Sequence, residues 1–474
     1  MEPSPASAAA RAAPLQPVHG HLIPFAELAR QLVADHGVAA TLLFAAATDA
    51  PSEQYTALAA SVPDGVDLVA LPAPPADALP PSTPVRERVV HAALSTVPHV
   101  RGIARSLASS APLAALVVDM ASVPARDVAT ELGVPCYMFF TSPWILLSLF
   151  LHLPELDAGL VGEYRDGTEP IRLPGCVPIH AHELPGFLLA DRSSDTYAVL
   201  LSLAKDATRV DGILVNTFRE VEPAVGEGAD CVKGMPVHAV GPLVWTRPVA
   251  VGVNRELEHA RLITWLDQQA RGSVVFLSFG SALALEATGR PFIWAAKRPQ
   301  EDTADGAFFG TERGGDDDPP GFLPRGFIER TSGVGRVLLS WAPQTAILAH
   351  AAVGCFVTHC GWNSSLESIL NGVPMVGWPL YAEQKMNAAM LEVHAGVAAR
   401  VNAAGPAGDG FVCKEEIVSV IRRVMDGDEA TTMRRRVGEL RDRATHALTM
   451  DGSSTLALAK VTDVWKSSAS NGKK

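Results

Sequence analysis

A short segment in the C-terminal half combines a predicted helix start with side chains that donate hydrogen bonds. The apolar run VGCFVTH predicts a strand, Gly361 predicts a turn, and a helix is expected to begin near Asn363. Free backbone N–H groups and the positive end of the helix dipole attract phosphate at such a position. His359 and the side chains of Asn363 and Ser364 can donate further hydrogen bonds. N-capping by Asn or Ser alone does not account for His359, so the segment predicts a phosphate site.

A longer stretch around this helix start carries a family signature. From Trp341 to Gln384, the sequence WAPQTAILAHAAVGCFVTHCGWNSSLESILNGVPMVGWPLYAEQ closely resembles the C-terminal signature of plant secondary-product UDP-glycosyltransferases (glycosyltransferase family 1). A long motif rich in Trp, His and Cys is far more specific than a lone glycine-rich turn. The resemblance implies an α/β protein of the GT-B type, with two Rossmann-like domains facing across a cleft. The nucleotide is expected in the C-terminal domain and the acceptor in the N-terminal domain.

The resemblance also implies roles for single residues. The implied contacts are with uracil by Trp341, the Ala342 backbone and Gln344; with the diphosphate by Ser281, His359, Gly361, Asn363 and Ser364; with the ribose hydroxyls by Glu367; and with the sugar by Thr141, Trp362, Glu383 and Gln384. Glu367 falls one helical turn after Asn363, on the same face as the phosphate contacts. A terminal Gln in this motif is associated with glucose rather than galactose. For Trp341 and Trp378, packing in the core is the alternative interpretation.

The N-terminal stretch VHGHLIPFAELARQL resembles the opening turn of the same family, in which the catalytic His directly precedes Leu-Ile-Pro. His21 takes that place, whereas the offset of His19 is wrong. A helix predicted to start around Ile23, with Pro24 in its first turn, places His21 at the helix N-terminus. There the dipole disfavours the imidazolium, so the ring is expected to stay neutral and to act as the general base.

Two predicted strands end in polar residues that complete this N-terminal site. Asp119 ends the strand AALVVD, and parallel α/β sheets present functional groups at the carboxyl ends of their strands. In the family this Asp pairs with the catalytic His, fixing its tautomer and stabilising the imidazolium. The alternative is that Asp119 only caps a helix near Val123. Thr141, in FFTSP after the next strand, matches the family position that touches the sugar.

The pattern along the chain predicts two α/β domains. Short apolar runs alternate with helical patterns, as a parallel sheet with helical crossovers requires. The predicted strands are ATLLFAA, VDLVALP, AALVVD, VPCYMFF and GILVN, then SVVFLSF, PFIWAA, RVLLS, VGCFVTH and VPMVGW. The predicted divisions are an acceptor domain at 1–244, a linker at 245–257, a UDP-sugar domain at 258–450, and a helix returning to the first domain with a polar tail at 451–474. Helices are predicted at 85–109 and 123–132, and two more between 429 and 465, broken near Asp451.

Composition restricts the class further. The 474 residues carry a net charge of −12, which disfavours nucleic-acid and anionic-membrane surfaces. Six dispersed cysteines without a CxxC pair favour a reducing compartment, and the start of the sequence shows no signal peptide. The apolar stretch 137–153 is interrupted by polar residues and is interpreted as a buried strand and helix. We expect a cytoplasmic monomer without a membrane span.

A run of acidic residues invites a metal interpretation, which we disfavour. Asp316, Asp317 and Asp318 lie in a Gly-, Pro- and Asp-rich loop at 304–321. Adjacent carboxylates in a solvated loop lack a fixed geometry, and no second ligand cluster stands nearby. No metal or other cofactor is expected, and the UDP-sugar is a co-substrate.

Two segments depart from the family pattern. The segment ARAAPLQPV before His21 carries Pro14 and Pro17 where relatives have a β-branched first strand, and proline donates no ladder hydrogen bond. This strand is therefore expected to be absent or displaced. After Ser281, only ALALEATGRP precedes the next strand, which looks too short for a parallel crossover. Natural deletions and a faulty gene model both explain such departures.

The function that these features predict is inverting transfer of glucose from UDP-glucose to the hydroxyl of a small phenolic or other lipophilic acceptor. LPGCVPIHAHELPG and GHLIPFAELA are most similar to the hydroquinone or phenylpropanoid glucosyltransferases. A non-catalytic UDP-sugar binder, with the two departures as its support, is the alternative. A nicotinamide-dependent dehydrogenase needs a glycine-rich turn and a ribose-binding acid after a first strand, and the sequence shows neither.

Overall fold

The structure is a computed structural model. It describes residues 19–45, 62, 65–72, 83, 91–223, 231–232, 234–245, 253–279, 282–296, 323–339, 342–402 and 412–471. The predictions for Pro14, Pro17, Ser281, Trp341 and the 304–321 loop lie outside these residues.

The first half of the chain forms a parallel α/β unit. Its strands are β1 (Ala40–Ala45), β2 (Val66–Leu71), β3 (Leu116–Val118), β4 (Cys136–Phe140), β5 (Gly212–Val215), β6 (Cys231–Val232) and β7 (Met235–Ala239). A five-stranded sheet has the order β3-β4-β5-β7-β6, with only β6 antiparallel to its neighbour. Every residue of β4 and β5 is buried, as expected for parallel strands covered on both faces. Within the described residues, β1 and β2 form a separate parallel pair.

Helices connect and cover these strands. They are α1 (His19–Ala34), α2 (Val97–Ser110), α3 (Arg126–Leu132), α4 (Trp144–Gly159) and α5 (Asp195–Ala207), with 3₁₀ turns at Met120–Ala125, Tyr164–Asp166 and Ala181–Glu183. Gly133 ends α3 with a φ of 66°, which a glycine adopts without strain, and this confirms the predicted stop.

The second half forms another parallel unit. Its strands are β8 (Val274–Leu277), β9 (Phe292–Ala295), β10 (Gly335–Leu338), β11 (Val353–Thr358), β12 (Met375–Gly377) and β13 (Ala398–Arg400). The sheet order is β10-β9-β8-β11-β12-β13. The chain therefore builds outward from β8 in one direction and from β11 in the other. The carboxyl ends of β8 and β11 mark the switch point where parallel sheets bind ligands.

The helices of this unit are α6 (Val253–Leu266), α7 (Ala282–Thr288), α8 (Phe327–Thr331), α9 (Gln344–Leu348), α10 (Trp362–Leu370), α11 (Gln384–Ala389), α12 (Lys414–Met425) and α13 (Gly427–Ala447), with a π-helical turn at Met390–His394.

The last helix, α14 (Ser453–Asn471), packs on the first unit. The ring of Trp465 meets that of Tyr137 edge-on, with centroids 5.2 Å apart. Ser454 Oγ donates to the Gly241 carbonyl at 2.5 Å. The break between α13 and α14 occurs where the sequence predicts it.

Every strand predicted from the sequence is present, but the expectations of a crossover that is too short and of a first helix starting around Ile23 are wrong. Parallel β8 and β9 are joined through α7, so the crossover is long enough; β8 already ends at Leu277, which leaves residues 278–291 for the connection. Helix α6 begins at Val253, inside the predicted linker. Helix α1 begins at His19 rather than Ile23, because Pro24 removes only one hydrogen bond near the helix start. The short strands β6, β7 and β13 were not predicted.

Candidate active site

The structure brings His21 and Asp119 together although 98 positions separate them. His21 Nδ1 lies 2.7 Å from Asp119 Oδ2. The carboxylate is fully buried, and its other oxygen accepts a hydrogen bond from the Ala121 backbone N–H at 2.9 Å. Asp119 therefore also caps the 3₁₀ turn that follows β3, so both interpretations of this residue describe its contacts. The imidazole is a quarter exposed, which leaves part of the ring accessible to a ligand.

The pKa of the His21 ring lies above its usual value. Burial lowers this pKa, but the charge of Asp119 and its hydrogen bond outweigh burial, and the charge of Glu383 adds to them. The sequence predicts that the helix dipole keeps this ring neutral, whereas the adjacent carboxylate acts in the opposite direction, toward the imidazolium. Glu383 belongs to the second unit, so a charge from that half of the predicted site acts on the His21 ring in the first unit.

Thr141 lies at the same sheet edge as Asp119. Strands β3 and β4 are parallel neighbours, and their carboxyl ends lead directly into these two residues. Thr141 is buried. The start of α4 beside it is held by Glu222, a buried carboxylate that accepts hydrogen bonds from the backbone N–H groups of Trp144 and Ile145 at 2.9 and 3.1 Å. Burial raises the pKa of Glu222. The sequence analysis did not single out this residue.

The predicted phosphate site has the expected strand-turn-helix form. Strand β11 is followed by His359, Cys360 and Gly361, and α10 begins one residue earlier than predicted. A β-carbon on Gly361 would collide with His359 Nε2, so a side chain at position 361 would displace the His359 ring. Asn363 and Ser364 lie partly exposed in the first turn of α10. The helix start thus lies at the switch point of the sheet, where the first backbone N–H groups of a helix have no intrahelical acceptor.

The residues predicted to bind the nucleoside form a hydrogen-bonded group. Gln344 Nε2 donates to Glu367 Oε2 at 2.7 Å and to Ser364 Oγ at 3.0 Å. Ala342 is buried just before α9. Burial raises the pKa of Glu367 to about 7, against the lowering effect of the Gln344 hydrogen bond. The carboxylate and the amide are therefore oriented before any ligand arrives.

Trp362, which is predicted to contact the sugar, lies where the two units meet. Its ring is buried, and its N–H donates to the Asn216 carbonyl of the first unit at 2.5 Å. The indole therefore joins the two units, and the sugar contact stays a prediction. Trp378 also packs, with its ring edge against Phe279 at 5.5 Å between centroids, as the core interpretation predicted. Phe279 also contacts the His359 ring.

Gln384 has a role in the turn that the sequence did not reveal. Its side chain is buried, and Oε1 accepts hydrogen bonds from the Leu380 and Tyr381 N–H groups at 2.8 and 3.0 Å. This oxygen orders the backbone of the turn, so a sugar contact by Gln384 does not involve it. Glu383 is partly exposed, and Asn387, one turn later, is fully buried. The sequence analysis missed Asn387, although its spacing from Glu383 placed it on the same helix face.

Two further observations concern the described residues only. Among them, no group of three His, Cys, Asp or Glu side chains is arranged to hold a metal ion. None of their helices is long and apolar enough to cross a membrane.

The fold matches solved plant glycosyltransferases along almost the whole chain. A Polygonum tinctorium UDP-glucosyltransferase capable of glucosylating indoxyl, in complex with 3,4-dichloroaniline, has a TM-score of 0.84 and 35% identity, covering 98% of this chain and 99% of that one. Phytolacca americana UGT2, complexed with UDP-2fluoro-glucose and pterostilbene, has a TM-score of 0.83 and 35% identity, covering 98% and 100%. The fold is therefore GT-B, which confirms the prediction.

Sequence comparisons give the family. Residues 282–431 match the family described as UDP-glucoronosyl and UDP-glucosyl transferase. The hydroquinone glucosyltransferase of Rauvolfia serpentina is 39% identical over 472 residues, which cover 96% of this chain and 97% of that protein. The chain belongs to the plant UDP-glycosyltransferase family, and it is a glycosyltransferase, as the signature predicts.

Proposed function

We propose that this enzyme transfers glucose from UDP-glucose to the hydroxyl of a small phenolic acceptor, with inversion at the anomeric carbon. The observation that carries the catalytic part is the 2.7 Å contact between His21 Nδ1 and Asp119 Oδ2. When Nδ1 donates its proton to Asp119, the lone pair of Nε2 is the basic one. An imidazole oriented in this way is suited to take a proton from a hydroxyl group.

The proposed reaction is a single displacement. Nε2 of His21 takes the proton of the acceptor hydroxyl while its oxygen attacks the anomeric carbon from the face opposite UDP. The bond from that carbon to the β-phosphate oxygen breaks, its electron pair leaves with UDP, and the product is a β-glucoside. Asp119 stabilises the imidazolium, and the start of α10 with His359 meets the negative charge on the diphosphate.

An apolar group of side chains that begins at the residue after Asp119 supports a lipophilic acceptor. Met120, which directly follows Asp119, faces residues of α4 and of the segment after the 3₁₀ turn at Ala181–Glu183 across a small cavity. The lining residues include Met120, Leu146, Leu149, Phe150, Phe187 and Leu188. At about 10 Å³ the cavity has room for one water molecule, so the support comes from the apolar character of these side chains and not from a preformed ring site. The activity named for the Rauvolfia serpentina relative, on hydroquinone, agrees with this acceptor class.

The alternative of a non-catalytic UDP-sugar binder loses one of its two supports, since a helix, α7, lies between the parallel strands β8 and β9. The proline-bearing segment before His21 lies outside the described residues. Independence from metal, a monomeric state and a cytoplasmic location remain predictions of this proposal.

The test is to incubate the enzyme with UDP-glucose and hydroquinone and to identify the product by proton NMR. A β-glucoside, formed at the same rate with and without EDTA, is expected. An α-glucoside would contradict inversion, and loss of activity in EDTA would contradict the metal-free reaction. Binding of UDP without any glucoside from a panel of phenols would favour the non-catalytic alternative.

A further inference from the structure

The turn before α10 contains a backbone conformation that needs support. Cys360 has a φ of 62°, in the left-handed region that residues with a side chain rarely adopt. Such a conformation persists only where the surrounding structure holds it. The residue is fully buried, and its N–H donates to Thr358 Oγ1 at 3.2 Å. This bond fixes one side of the Cys360 backbone and leaves its carbonyl to another partner.

That partner is the side chain of Asn387. The Asn387 amide is fully buried in α11, and its Nδ2 donates to the Cys360 carbonyl at 2.9 Å. The same nitrogen approaches Glu383 Oε1 at 3.5 Å. One amide group therefore spans the turn before the donor helix and the carboxylate predicted to contact the sugar.

The groups around Asn387 require a hydrogen-bond donor at this position. Both groups that face the Asn387 nitrogen are acceptors, which defines the orientation of the amide. Its Oδ1 is buried without a hydrogen-bond partner among the described residues. Burying an unpaired polar atom such as Oδ1 is unfavourable. The hydrogen bonds of Nδ2 therefore offset the cost of burying the Asn387 amide. An aspartate at this position would place a third acceptor against the other two.

We propose that Asn387 is a positioning residue for the UDP-sugar. By holding Cys360 in the left-handed conformation, it sets the direction of His359 and of the first N–H groups of α10, and it ties them to Glu383. This inference rests on the proposed function of the same site, because it assumes that these groups bind the nucleotide-sugar.

The first test is Asn387→Leu, which keeps a similar volume while removing both the donor and the unpaired oxygen. The midpoint of thermal unfolding should fall, because the buried Cys360 carbonyl loses its donor, and UDP affinity by calorimetry should fall about tenfold or more, the size of one lost hydrogen bond. KM for UDP-glucose should rise while KM for the phenol stays constant. Ser368→Ala is the matched control, since it removes a buried hydrogen bond of 2.7 Å to the Val373 carbonyl at the far end of α10. Ser368→Ala should lower thermal stability without weakening the binding of UDP.

The second test separates positioning from general stabilisation. Glycine adopts the left-handed conformation without a side-chain penalty. In a Cys360→Gly background, Asn387→Leu should therefore lower UDP affinity by about threefold or less instead of tenfold. An equal loss in both backgrounds would overturn the proposal. If Asn387→Leu does not fold, Asn387→Ser, which is too short to reach the Cys360 carbonyl, replaces it in the same comparison with the same expected losses.

The outcomes distinguish this inference from the proposed function. Failure of the wild-type protein to bind UDP would remove the proposed function together with the inference. Wild-type binding with unchanged affinity in the Asn387 variants would overturn the inference alone.

Discussion

The two halves of the site are built in different ways. The donor segment, residues 342–387, is one continuous stretch whose side chains bond to each other, as Gln344 does to Glu367 at 2.7 Å. The His21–Asp119 pair joins two elements 98 positions apart through one contact. The donor segment is therefore fixed by many local bonds, whereas the catalytic pair depends on how α1 packs on the first sheet.

This difference predicts which property a single substitution changes in each half of the site. A substitution in the donor segment leaves the other hydrogen bonds of the segment in place, so affinity should fall by degrees. A substitution in the catalytic pair removes the contact between His21 Nδ1 and Asp119 Oδ2 that orients the imidazole. We therefore expect chemistry and nucleotide binding to be separable by mutation.

The largest expected effect is that of Asp119→Asn. The amide cannot stabilise the imidazolium, so turnover should fall by about 10²-fold to 10⁴-fold, while UDP affinity stays within about twofold. The pKa of His21 is raised by Asp119, so it should fall in this variant. Because the neutral ring is the active base, the acidic limb of the kcat/KM profile should move to lower pH.

The control for this variant is Glu27→Gln, which changes another buried carboxylate, paired with Arg30 in the same helix as His21. It should leave the pH profile in place. An unshifted acidic limb in Asp119→Asn would show that Asp119 does not set the pKa of the base.

A smaller effect is expected for the pH dependence of nucleoside binding. The pKa of Glu367 is about 7, and in its predicted role the ionised form is the one that accepts hydrogen bonds from the ribose hydroxyls. Uridine affinity should therefore rise about tenfold between pH 6 and pH 8, following the ionised fraction. Uridine is the probe because it has no phosphate. The pH dependence of its affinity therefore contains no contribution from phosphate ionisation or from an interaction of His359 with phosphate.

Glu367→Gln should flatten this pH dependence in calorimetric titrations. A profile that still rises in Glu367→Gln would mean that another group controls ribose binding, and the donor segment would be less self-contained than we infer.

The smallest effect concerns the contact that joins the two halves. Trp362→Phe keeps most of the ring but removes the N–H that donates to the Asn216 carbonyl. Turnover should fall about fivefold, which corresponds to the free energy of one lost hydrogen bond. UDP affinity should stay within about twofold of the wild-type value. Trp265→Phe, a buried ring whose sequence position lies outside the donor segment, is the matched control. Equal turnover in the two variants would show that the halves keep their alignment without this contact.

The sequence predicted the parts of the site that depend on local order. The start of α10 and the polar residues at its first turn follow from a strand, a glycine and an N-terminal polar run. The His21–Asp119 contact was expected from the family resemblance and from the rule that parallel strands present polar groups at their carboxyl ends.

The features that the sequence did not reveal depend on packing between distant elements. The Trp362 N–H donates to the Asn216 carbonyl of the other unit, a partner that nothing in the sequence around Trp362 indicates. Asn387 has no special sequence context, and its function appears only when the backbone of Cys360 is seen in the left-handed conformation. Counting residues after Ser281 underestimated the connection to β9, because the preceding strand ends early.

The most direct test of the division between chemistry and binding is to measure UDP affinity by calorimetry and the single-turnover rate of glucoside formation in His21→Ala and Glu367→Ala, with His19→Ala as control. His21→Ala should lose about 10²-fold to 10⁴-fold in rate with UDP affinity unchanged, since a positioned base contributes that much. Glu367→Ala should bind UDP about tenfold or more weakly, with a small change in rate at saturating donor. His19→Ala should match the wild type. If His21→Ala weakens UDP as much as Glu367→Ala does, or keeps the wild-type rate, the account is wrong.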